Sequence, residues 1–170
     1  EELLIRYFRE SQACFKMILA PHEVHKQNIQ RILSHFQQGE TLVWSEVSEE
    51  KVDQARVLII NTIGMLSSLY GYSQLAYVGG GFGKGIHNIL EAATYGIPVI
   101  FGPHHGKFKE ALDLKNQGGG FAIEDFASLK PLMDAFLTRP DQRYPAGDIA
   151  RSYVDARAGA THHILSEILE

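Results

Sequence analysis

The chain has 170 residues, 45% of them hydrophobic and 21% charged, with 16 Lys and Arg against 20 Asp and Glu for a net charge of −4. That length fits one ordinary domain able to bury a real core, and the composition excludes a disordered, coiled-coil or collagen-like chain. The acidic balance, with no basic run, argues against a nucleic-acid partner, because a phosphate-backbone binder carries a cationic excess.

The longest apolar runs, such as Val57–Ile60 and Ile97–Phe101, fall far short of the ~18 residues a membrane-spanning helix needs. Cys14 is the single cysteine. No intrachain disulfide and no cysteine zinc cluster is therefore expected, and a reducing compartment is the simplest reading. Glu1-Glu2 opens an amphipathic segment without a basic or apolar leader. The missing initial Met suggests a piece of a longer chain.

In chain order, Glu1 to Glu10 reads as a helix, and Phe15 to Ala20 as a short strand stopped by Pro21. Ile29, Ile32, Leu33 and Phe36 have helical spacing within a helix expected from Val24 to Phe36, ended by Gly39. Strands are expected at Thr41–Trp44 and Arg56–Ile60, then a short helix from Met65 to Tyr70. A fourth strand, Leu75–Val78, runs into Gly79-Gly80-Gly81, and a helix follows from Ile86 to Tyr95. Pro98–Phe101 is the fifth strand, Phe108–Asn116 a helix, and Phe121–Ile123 the sixth strand. Asp125 or Ser128 caps a helix reaching about Leu137, and Ala146 to Leu169 supplies the last.

Strands alternating with helices predict an α/β fold: a Rossmann-like three-layer sandwich with a parallel sheet and helices on both faces. Such sheets bind ligands outside the carboxyl ends of their strands. Four strand ends are rich in Gly, Pro, His or Asn: Pro21-His22, Asn61 to Gly64, Gly79 to Gly85, and Gly102 to His105. The site is expected on those loops.

The segment Val78 to Asn88, with five glycines between Gly79 and Gly85, is the richest feature. A Walker phosphate loop needs its first Gly where Val78 stands, and Gly85 replaces the required hydroxyl residue. The dinucleotide pattern G-x-G-x-x-G fails from every starting glycine, ending on Lys84, Ile86 or Asn88. A looser reading survives, in which backbone amides face an anion. The alternative is a glycine turn that only lets strand and helix pack closely.

Glu91 stands one helical turn beyond His87, so both are expected on one face. A carboxylate near strand ends can accept ribose hydroxyls, and it can equally serve the helix dipole; the spacing leaves both open. His104-His105 with His87 invites a metal reading, but adjacent histidines diverge and no carboxylates complete the set. No metal or cofactor is expected. His162-His163 read as surface residues and Cys14 as an idle or buried thiol. No nucleophile–base set is apparent, so no catalytic residue is assigned.

Taken in order, Tyr77-Val78-Gly79-Gly80, His87-Asn88-x-x-Glu91-Ala92 and Gly96-Ile97-Pro98-Val99-Ile100-Phe101-Gly102-Pro103-His104 resemble the C-terminal half of the bacterial 3-deoxy-D-manno-octulosonic acid (Kdo) transferases. The resemblance runs from about Met17 to Phe121. It implies the C-terminal half of a two-domain GT-B glycosyltransferase that moves Kdo from CMP-Kdo to a lipid A precursor in lipopolysaccharide assembly. It also implies a metal-free reaction at the cytoplasmic face of the inner membrane, with attachment through the missing N-terminal region.

Carried over, the resemblance assigns donor contacts to His22 and Glu23, to Ile63, Gly64 and Met65, and to Asn88, Ile89, Leu90 and Glu91; Gly80, Gly81 and His87, on the glycine loop before them, are candidate donor contacts as well. Glu91 would meet the ribose hydroxyls. The family usually has Arg where His22 stands, Asp at Asn61 and Gly at Ile86. This chain thus lacks a permanent cation at the first position, and Lys84 is either its replacement or a solvated surface lysine. The catalytic base of the family lies in an N-terminal domain that nothing here matches.

The resemblance therefore makes residues 1–170 one donor-nucleotide-binding domain. Residues 1–12 would be the interdomain connection and residues 146–170 the terminal helix. Alone it should not transfer Kdo. A UDP-sugar transferase, a UDP-sugar 2-epimerase and a non-catalytic nucleotide-binding module are the competing readings.

Overall fold

A computed structural model describes residues 1–47 and 55–159. It divides into two compact units, Glu1–Leu69 and Tyr70–Glu170, each with its own three-stranded, all-parallel sheet.

The first unit contains α1 (Glu2–Glu10), β1 (Met17–Leu19), α2 (Lys26–Leu33), β2 (Thr41–Val43), a 3₁₀ turn at Trp44–Glu46, β3 (Val57–Ile59) and α3 (Leu66–Leu69). β3 is central: Val57 pairs with Met17 on one side and Thr41 on the other, and Ile59 with Leu19 and Val43. Val57 and Ile59 are buried while Leu58 between them is only half-covered, the period-two signature of a strand. The segment Glu1 to Glu10, expected as a helix, is one and docks in this unit's core. Ile5 and Phe8, one turn apart, face inward. Phe8 meets Phe15 and Phe36 edge-on at 5.7 and 5.5 Å, a preferred aromatic geometry.

Helix α2 is shorter than the expected Val24–Phe36, and both ends have a physical reason. At the start, the His25 imidazole Nδ1 accepts the Asn28 amide at 3.2 Å, capping an otherwise orphaned donor. At the end, His35 and Phe36 bond the carbonyls of Ile32 and Leu33, tightening the last turn into 3₁₀ geometry. Loss of a side-chain cap costs about 1 kcal/mol. His25→Ala is therefore expected to lower stability by that amount in urea unfolding, with His25→Asn restoring it. Equal midpoints for all three proteins would show that the cap contributes nothing.

The second unit contains a 3₁₀ turn at Tyr70–Tyr72, β4 (Ala76–Val78), α4 (Leu90–Ala93), β5 (Val99–Phe101), α5 (Lys109–Gln117), β6 (Gly120–Ala122), α6 (Phe126–Thr138) and α7 (Pro140–Asp155). β5 is central and wholly buried, as the Pro98-Val99-Ile100-Phe101 run implies. Gly120 lies opposite Val99. A Cβ there would stand 2.9 Å from the Phe101 ring, so its absence lets that ring fill the core. Asp125 caps α6 in a reciprocal box with Ser128. Those Ser128 hydrogen bonds hold the Asp125 carboxyl below the usual carboxylate range.

Two expectations are corrected in this unit. The last helix begins at Pro140, not Ala146, because proline at the first helical position forfeits only an amide that has no partner there. The expected continuation toward Leu169, with His162-His163, lies outside the described residues. The helix expected from Ile86 begins only at Leu90, for a reason that belongs to the loop before it.

Candidate functional site

In the second unit, β4 delivers the chain into the glycine loop. Gly80 sits at φ +88, a backbone region closed to most side chains. Gly81 is buried, and a Cβ on it would fall 2.7 Å from the Cα and N of Gly102 at the end of β5. Close backbone packing is therefore the first job of Gly81. The loop is fastened to the β5 end by His104, whose amide donates to the Gly81 carbonyl at 2.9 Å. The His104 Nδ1 donates to the Gly83 carbonyl at 2.7 Å.

His105 is buried, with Nδ1 3.2 Å from the Gly102 carbonyl and its ring edge-on to Phe101. Both adjacent histidines thus direct Nδ1 at backbone oxygen. Among the described residues, no three His, Cys, Asp or Glu side chains are grouped to hold a metal ion.

The shared helix face expected for His87 and Glu91 does not exist. The His87 amide donates back to the Gly79 carbonyl at 3.1 Å, which keeps His87 in the loop. The Asn88 Oδ1 then accepts the Leu90 amide at 3.0 Å, an Asx turn that competes with helix before that point. His87 instead lies over Gly80, its imidazole 3.1 Å from where a Cβ of that glycine would be.

The same Asn88 side chain donates from Nδ2 to the Glu91 Oε1 at 3.0 Å. Glu91 is half-buried. Burial, and secondarily the Glu91 charge, push the Tyr70 hydroxyl above the ordinary tyrosine value. Ile89 is fully buried in the core, so only its backbone is available to a ligand, and the Leu90 amide is already engaged by Asn88.

In the first unit, Pro21 is buried while His22 and Glu23 are exposed beyond β1. The Asn28 amide Nδ2 donates to the Glu23 carbonyl at 2.7 Å, and the Glu23 carboxylate lies 3.1 Å from His25 Nε2. Beyond β3, Asn61 is bound to Ser45, donating to Oγ at 2.8 Å and accepting its amide at 3.2 Å. The Ile63-Gly64-Met65 turn follows, with Gly64 at φ +90 and Ile63 89% exposed.

Sequence reasoning missed the Asn88–Glu91 pair and the His104 fastening. An Asn followed three residues later by Glu at a helix start was the available signal for the first. The second required the tertiary structure.

This α/β fold of parallel strands with glycine-rich strand ends is that of the C-terminal half of a GT-B glycosyltransferase. It superposes on the C-terminal CMP-Kdo binding domain of WaaA from Acinetobacter baumannii with a TM-score of 0.66. That match covers 90% of this chain and 94% of that one at 17% identity.

In sequence the chain resembles the Kdo transferases. It is 33% identical over 114 residues to the enzyme of Bordetella pertussis, a match covering 66% of this chain and 27% of that protein. It is 41% identical over 131 residues to that of Chlamydia muridarum, covering 75% and 30%. The chain therefore spans about a third or less of the length of these two relatives. No protein-family model matches it. Among the described residues, no helix is long and apolar enough to cross a membrane.

Proposed function

We propose that the chain is the CMP-Kdo-binding domain of a Kdo transferase, part of a longer protein whose other portion holds a lipid A precursor. The observation that carries this reading is the Glu91 carboxylate, steadied by Asn88 beyond β4. It stands in a chain similar to Kdo transferases in sequence and to a CMP-Kdo-binding domain in fold.

In this reading Glu91 accepts the ribose hydroxyls of CMP, as acidic residues do in other nucleotide-binding α/β folds. Gly80, Gly81, His87, Ile89 and Leu90 line the donor beside it, and Asn88 stands next to Glu91. In the first unit, His22, Glu23 and the Ile63-Gly64-Met65 turn are assigned to the donor as well. The domain contributes no catalytic group: it holds the donor and favours departure of CMP, while a base outside the chain activates the lipid hydroxyl. The full protein would act at the cytoplasmic face of a bacterial inner membrane, and the chain alone would bind donor without transferring Kdo.

Calorimetric titration with CMP, UMP and UDP tests this. CMP is expected to bind preferentially, and Glu91→Ala to weaken it about 10- to 100-fold, the usual scale for lost hydrogen bonds to a charged group. Tighter binding of UDP than CMP would move the chain to the UDP-sugar enzymes. CMP binding unchanged by the substitution would remove Glu91 from the ribose.

A further inference from the structure

We infer that Asn88 is a positioning residue for Glu91: it does not contact the donor but fixes the carboxylate that reads the ribose. The inference rests on the proposed role of Glu91 and goes beyond it, by dividing the His87–Glu91 segment into one residue that binds and one that orients.

The geometry behind it is specific. The Asn88 side chain has an acceptor oxygen with two lone pairs and an amide nitrogen with two hydrogens, and one of each is engaged within its own turn. Oδ1 takes the Leu90 amide at 3.0 Å and Nδ2 donates to Glu91 Oε1 at 3.0 Å. The first bond fixes the side chain to the backbone at the start of α4, and the second transfers that rigidity to the carboxylate. Glu91 would otherwise keep three rotatable bonds, whose ordering on binding carries an entropic penalty.

The clamp occupies Oε1 with a neutral donor and leaves the second oxygen for a ligand. Among the described residues, the Tyr70 hydroxyl feels the Glu91 charge, after burial. A tyrosine hydroxyl is neutral at physiological pH.

Asn88→Asp separates the orienting role from a direct one. Aspartate accepts the Leu90 amide as well as asparagine does, so thermal stability should match the parent. It cannot donate to Glu91 at neutral pH, and places a second negative charge beside it. CMP affinity at pH 7.5 should fall about 10- to 100-fold, with part of the loss recovered at pH 5, where shared protonation of the paired carboxyls restores a donor.

The loss should be confined to ligands carrying ribose hydroxyls, leaving 2′,3′-dideoxy-CMP at its parental affinity. Asn88→Ser, whose hydroxyl can hold the Leu90 amide but is too short to reach Glu91, should weaken CMP in the same ligand-selective way without the pH dependence. It serves as the test if the aspartate variant folds poorly.

Equal weakening of CMP and the dideoxy nucleotide would overturn the inference, as would parental CMP affinity in both variants. A parent that binds CMP no better than its dideoxy analogue, or does not bind CMP, would instead overturn the ribose role of Glu91, and this inference with it.

Discussion

Replacing Gly81 with alanine is expected to destabilise the protein by about 3 kcal/mol, at the upper end of what overpacking a close contact usually costs. The new methyl would stand 2.7 Å from both Cα and N of Gly102 and 2.9 Å from its carbonyl carbon. These are backbone atoms in the segment leaving the wholly buried β5, so no side-chain rotation relieves the clash. Gly102→Ala meets Gly81 from the other side, 2.7 Å from its carbonyl carbon and 2.9 Å from its Cα and carbonyl oxygen, and should cost a similar amount. Movement of the loop would also stretch the two bonds by which His104 holds the Gly81 and Gly83 carbonyls. CMP binding should therefore weaken along with stability. Guanidinium unfolding of both variants is the measurement. A loss below about 1 kcal/mol in each, within the range of ordinary surface substitutions and weak overpacking, would mean that the strand ends separate without penalty and that the contact is not structural.

The same glycine shows where sequence reading succeeds and where it stops. Five glycines between a strand and a helix announced a special loop, and an order of motifs matching a known family announced which proteins the chain resembles. The six strands were legible because apolar runs such as Val57-Leu58-Ile59 and Val99-Ile100-Phe101 are bounded by glycine, proline or polar residues. Five came out shorter than expected, since the ladder ends wherever a neighbouring strand ends, and the sixth kept three residues but began one earlier, at Gly120.

The choice between an anion cradle and a packing turn at Gly81 was not legible. It depends on Gly102, which is 21 positions away and adjacent only after β4 and β5 pair. The helix after the loop was misread for a local reason. Apolar spacing from Ile86 to Leu90 suits a helix, but Asn88 captures the Leu90 amide and His87 bonds back to Gly79. Propensity lost to two hydrogen bonds. His87 and Glu91 consequently do not act as a face, and the partner of Glu91 is Asn88, the nearer residue in sequence.

Gly147→Ala is expected to be at least as damaging as Gly81→Ala, on the order of 3 kcal/mol or more, although it lies in the middle of a helix where alanine is intrinsically better by about 1 kcal/mol. Tertiary contact decides the sign. A Cβ at position 147 would stand 2.2 Å from the Gly96 carbonyl oxygen and 2.9 Å from its carbonyl carbon. Gly96 itself sits at φ +70 in the turn between α4 and β5, and the clash is with its backbone rather than with a side chain that could rotate away. Helix α7 must therefore lift off that turn. Lifting would disturb the Arg151 guanidinium, which donates to the Thr94 carbonyl at the end of α4 at 3.4 Å, and the buried Ala150 and Tyr153 packed against the β4–β5 core. Because α4 carries Glu91, the displacement is expected to reach the nucleotide as well: CMP affinity should fall even under conditions where the variant remains folded. Unfolding curves paired with CMP titration separate the two effects. A variant with lowered stability but parental CMP affinity would show that α7 supports the core without setting the position of Glu91. One with unchanged stability would show that the helix can shift freely over Gly96.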